Sequence, residues 1–138
     1  MLARNTDTQR ENSMTDYNKE LISFLDKSPT AFHAVANIKA RLEAEGYTEL
    51  AESAKWELSE GGKYFVVRND SSIIAFRTPI FDFTGFMISA VHSDSPAFKV
   101  KENPEIVENG YVKINVEGYG GMLMAPWLDR PLSVAGRI

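Results

Sequence analysis

The run Gly85-Phe86-Met87-Ile88-Ser89-Ala90-Val91 breaks directly into His92-Ser93-Asp94-Ser95-Pro96. A short, uninterrupted apolar run stopped by Ser, Asp and Pro reads as a strand buried on both faces, from about Phe86 to Val91. Such a strand belongs inside layered α/β architecture, where ligands gather outside the carboxyl ends of the strands. A histidine at that end, followed two residues later by an aspartate, suits a metal ligand and its orienting carboxylate. Neutral imidazole binds hydrolytic metals. A carboxylate behind it fixes the ring and raises its basicity. On extended backbone, residues two apart point to the same side. The plainer reading is a His-Asp pair that caps a strand end, with Pro96 opening a loop, and a two-residue motif does not separate the two.

Upstream, the spacing of Tyr17, Leu21, Ile22, Phe24 and Leu25 predicts a helix from about Asp16 to Lys27. Ser28-Pro29-Thr30 stops it and starts a second helix, with Pro in the first turn. This helix carries Phe32, Val35, Ile38 and Leu42 on one face and ends at Glu45-Gly46, with Gly in the C′ position. From Trp56 the pattern changes to β type. Lys63–Arg68 and Ser72–Arg77 flank Asn69-Asp70-Ser71, which predicts a hairpin. Thr78 to Thr84 is a connection. Phe98–Lys101 and Tyr111–Glu117 alternate, so each has one wet face. Gly118-Tyr119-Gly120-Gly121 marks a turn or a close backbone approach.

Several chemistry-bearing residues have bland readings that weigh more. Asp129-Arg130, beside Trp127, could bind a substrate carboxylate through the Arg fork, but an internal ion pair that fixes a turn is the better reading. His33 falls one position off the apolar stripe of its helix, which favours a surface or packing role over metal ligation. Gly118–Gly121 lacks the following Lys-Ser/Thr of a phosphate loop and the spacing of a dinucleotide fingerprint. Ser93 and Ser95 are not set between glycines as a nucleophile elbow requires.

Composition closes off other classes. A net charge of −4 without a Lys/Arg cluster gives no electrostatic footprint for nucleic acid. No apolar run reaches the roughly 18 residues needed to cross a bilayer. Zero cysteines exclude disulfides and thiolate ligands in these 138 residues, which is compatible with a cytoplasmic home. Met1–Arg10 has no apolar stretch of the secretory kind. The first 15 residues are expected to form a disordered tail, with Met14 an alternative start.

Three stretches occur in order: Ser28-Pro29-Thr30-Ala31-Phe32-His33-Ala34-Val35, His92-Ser93-Asp94-Ser95-Pro96, and Tyr119-Gly120-Gly121 followed by Trp127-Leu128-Asp129-Arg130-Pro131-Leu132-Ser133-Val134-Ala135-Gly136-Arg137. Together they resemble the N-terminal portion of the M18 zinc aminopeptidases, over about residues 17 to 138. The resemblance implies an α/β fold, the N-terminal part of a three-layer α/β/α zinc-peptidase domain followed by the start of a β-rich inserted dimerisation domain. It implies residues 16–100 in the first and 101–138 in the second. It also implies two divalent metals (zinc, with cobalt or manganese as substitutes), peptide substrates with N-terminal, often acidic, residues, a homo-dodecamer and a cytoplasmic or vacuolar location.

Under the same resemblance His92 corresponds to the first zinc ligand and Asp94 to the catalytic-site carboxylate that orients it. Asp129 is not among the ligands. The bridging Asp, the paired Glu residues that include the general base, the later Asp and the last His all lie beyond position 138 in family members. The isolated chain is therefore expected to be inactive. A second reading makes it a non-catalytic, truncated homologue that serves assembly. A third makes it an excised domain.

Overall fold

A computed structural model of the chain describes residues 16–137. The expected tail over 1–15 and the alternative start at Met14 lie outside the described residues. The described residues divide into two compact units: 16–93 with 135–137, and Asp94–Val134.

In the first unit, helix α1 is described over residues 16–26 and helix α2 spans Ala31–Ala44. Thr30 is the N-cap of α2, so Pro29 stands just outside the helix rather than in its first turn as expected. At the far end Gly46 takes φ +78°. Its amide bonds Glu43 O at 3.0 Å and the Tyr47 amide bonds Leu42 O at 2.9 Å, a Schellman closure that satisfies the last carbonyls. The link between the helices is tied by Asn37 Nδ2, which donates to Lys27 O at 2.9 Å and Ser28 Oγ at 3.0 Å.

Helix α2 packs on a three-stranded sheet ordered β1 (Thr48–Glu49), β2 (Lys63–Arg68), β3 (Ser72–Arg77). The short β1 has no sequence signature and runs parallel to β2. Strands β2 and β3 form the expected hairpin, with Arg68 opposite Ser72 and Lys63 opposite Arg77. Asn69 and Asp70 both take positive φ, 53° and 55°, the geometry of a primed turn that suits the right-handed twist of paired strands. The buried residues are Ala34 and Val35 of α2 and Tyr64 and Phe65 of β2; the last two, adjacent on the strand, point to opposite faces of the sheet, and the Tyr64 ring lies against Phe76. Phe65 is fully enclosed, so Phe65→Ala should cost about 3–5 kcal/mol, read as a lower midpoint in denaturant unfolding.

The expected central strand is not formed. Residues 86–91 lie outside any strand, and the run is exposed rather than buried, Ile88 at 85%. A strand exists only where a neighbour takes its backbone hydrogen bonds, and no described residue pairs with this run. Apolar character marks a segment that favours burial. It does not supply the partner.

In the second unit, β4 (Ala97–Glu108) and β5 (Tyr111–Tyr119) form an antiparallel ribbon. β4 is longer than the alternating stretch from Phe98 to Lys101 suggested, and the register shifts between Val100 and Glu105. The two-residue turn Asn109-Gly110 has positive φ at both positions, 51° and 79°. One short helix follows, α3 (Ala125–Leu128), which the sequence pattern did not signal.

Candidate active site

His92 and Ser93 end the first unit's continuous stretch, and Asp94 begins the second. His92 is exposed and in irregular backbone. Its neighbour Ser93 donates from Oγ to Ser71 O at 2.9 Å, which pins the segment to the turn between β2 and β3. Arg137 reaches the same turn, with Nη1 bonded to Asp70 Oδ2 at 2.6 Å and the guanidinium over the Phe32 ring at 4.6 Å.

Asp94 has a partner that sequence reasoning missed. The Tyr119 hydroxyl donates to Asp94 Oδ2 at 2.7 Å. This bond, together with the carboxylate's charge, holds the Tyr119 phenol above its ordinary range. The strand register makes the contact: Ala97 pairs with Tyr119, so the last residue of β5 sits opposite the first of β4, three positions past Asp94. The next residue, Gly120, takes φ +76°. This is the turn that the sequence allowed for; a Cβ there would meet Pro96 Cα at 3.5 Å, an ordinary van der Waals distance. The available signal was the conjunction of Tyr with an αL-prone Gly, which turns the chain back at a strand end.

The other candidates resolve toward their bland readings. Arg130 Nε bonds Asp129 Oδ1 at 2.9 Å, an exposed pair between adjacent residues just after α3. His33 sits in the first turn of α2, with Nδ1 2.8 Å from Thr30 Oγ1 and its amide donating to the same oxygen at 3.4 Å. It belongs to the helix cap. Among the described residues, no group of three or more His, Cys, Asp or Glu side chains converges on a point that could hold a metal ion. His92 and Asp94 offer one imidazole and one carboxylate, fewer donors than the three protein ligands usual for a hydrolytic centre.

The family profile described as Aminopeptidase I zinc metalloprotease (M18) matches residues 24–138, which include every element above except part of α1. The chain belongs to the M18 aminopeptidase family. A probable M18 family aminopeptidase 2 from Clostridium acetobutylicum is 50% identical over 126 residues, 89% of this chain and 29% of the relative. The Pseudomonas aeruginosa PAO1 protein of the same name gives 50% over 127 residues, with the same two shares. Among solved structures, Aminopeptidase I from Borrelia burgdorferi B31 superposes with a TM-score of 0.75 at 27% identity, covering 89% of this chain and 30% of that one. The S. cerevisiae mApe1 dodecamer gives a TM-score of 0.67 at 26% identity, covering 86% and 28%. The M18 chain therefore has the expected α/β fold, as part of a larger domain, and spans about 29% of the length of these curated relatives.

Proposed function

We propose that these residues are the leading part of a metal-dependent aminopeptidase that removes N-terminal residues, often acidic ones, from peptides. The observation that carries this reading is the family match across 24–138, which takes in His92 and Asp94. His92 is the residue that would hold a metal ion, and Asp94 the carboxylate that keeps its imidazole in the ligating tautomer. A divalent metal bound in such a centre lowers the pKa of a coordinated water and polarises the substrate carbonyl. Zinc is supported by the family's description, and a pair of metals, or cobalt or manganese as substitutes, belongs to the proposal.

Residues 16–100 are assigned to the catalytic domain and 101–138 to the opening of an inserted dimerisation domain. The separate unit Asp94–Val134, built on the β4–β5 ribbon, supports an insertion beginning near this point. Homo-oligomerisation is supported by the dodecameric yeast relative. A cytoplasmic place is part of the same proposal, supported by the resemblance. No described helix is long and apolar enough to cross a membrane.

The test uses the intact gene product that carries these residues. Chelator-stripped protein should release N-terminal Asp, Glu or Leu from peptides only after zinc, cobalt or manganese is restored. Folded, metal-loaded protein without turnover on any of them would contradict the reading.

A further inference from the structure

We propose that Tyr119 is a positioning residue: its hydroxyl holds the Asp94 carboxylate in the orientation that serves His92. This rests on the function proposed above.

Three observations carry it. The O–H···O distance of 2.7 Å is close to the range of charge-assisted bonds between a hydroxyl and a carboxylate. The bond is built into the ribbon, because the Ala97–Tyr119 and Phe98–Gly118 pairs place the tyrosine opposite the start of β4. The surroundings also fix both ends. Gly120 turns the chain against Pro96, and Trp127 meets the Phe98 ring edge-on at 5.3 Å.

An ionised carboxylate has acceptor sites for a phenol and an imidazole N–H together, so holding Asp94 does not compete with its service to His92. The two motifs thus have one physical link: Tyr119-Gly120 supplies the clamp for Asp94-Ser95-Pro96.

Two arms test this, and they fail separately. In the 138-residue chain, NMR of 13Cζ-labelled tyrosine should show Tyr119 titrating above an ordinary phenol, and Asp94→Asn should return it to the ordinary range. An ordinary titration in the parent chain would overturn the inference, whatever the enzyme does. In the intact aminopeptidase, Tyr119→Phe should lower kcat about 10-fold, with KM and metal content unchanged. On an Asp94→Asn background it should cause no further loss, because the two residues act as one unit. A multiplicative loss in the double variant, or a lowered melting temperature with kcat unchanged, would make Tyr119 a merely structural residue. Failure of the functional reading shows instead as a His92→Ala variant with full metal and normal rate.

Discussion

His92→Ala in the intact aminopeptidase should abolish turnover, whereas Asp94→Asn should leave a measurable rate reduced about 10- to 100-fold. The difference in size follows from the two roles proposed. An imidazole lost from a coordination shell removes a metal–nitrogen bond outright. An aspartate changed to its neutral isostere keeps a hydrogen-bond acceptor for the imidazole N–H and removes the charge that raised ligand basicity. The Tyr119 hydroxyl also loses its ionised acceptor, so part of the Asp94→Asn deficit comes from a less firmly held side chain. His33→Ala is the control. That ring is occupied at the α2 cap with Thr30, and its loss should leave kcat and KM unchanged while it weakens the helix start by less than about 1 kcal/mol. Steady-state kinetics of the three variants on one N-terminal Asp substrate reads all of this. A rate near the parental one in His92→Ala removes the ligand assignment.

The isolated 138-residue chain, supplied with zinc, cobalt or manganese, is expected to show no turnover on N-terminal Asp, Glu or Leu substrates. A hydrolytic centre holds its metal through about three protein ligands and keeps a position open for water. Among the described residues no such cluster exists. One imidazole binds a divalent ion too weakly to keep it at catalytic concentrations. Phe81, Phe83, Met87 and Ile88 are exposed, and the chain should self-associate, since large apolar side chains so displayed favour burial against another copy. Turnover that copurifies with the chain and vanishes in His92→Ala would show that the incomplete site works after all.

Local elements were legible where a local rule fixes them. Thr30 with its amide-accepting hydroxyl, Gly46 in the αL region and the Asn69-Asp70 turn each depend on a few neighbouring residues, so α2 and the β2–β3 hairpin could be placed from sequence. The same rules apply to Asn109-Gly110, a strong hairpin signal that marks the β4–β5 turn. β1 could not be read, because Thr48-Glu49 is a strand only by virtue of Tyr64 and Phe65 beside it. Residues 86–91 are the converse, a strand-like composition with no described neighbour to pair with. At the site, residue type pointed to His92 and Asp94, and the ordered motifs pointed to the family. The Tyr119 contact spans 25 positions and depends on ribbon register, which period and composition do not encode.

Metal content settles whether His92 is a ligand. The intact aminopeptidase and its His92→Ala and His33→Ala variants should be purified side by side, equilibrated with zinc, and analysed for moles of metal per mole of chain. The parent and His33→Ala should carry equal amounts, and His92→Ala should have lost metal. Equal stoichiometry in all three would mean that the family fold is shared here but His92 holds no metal.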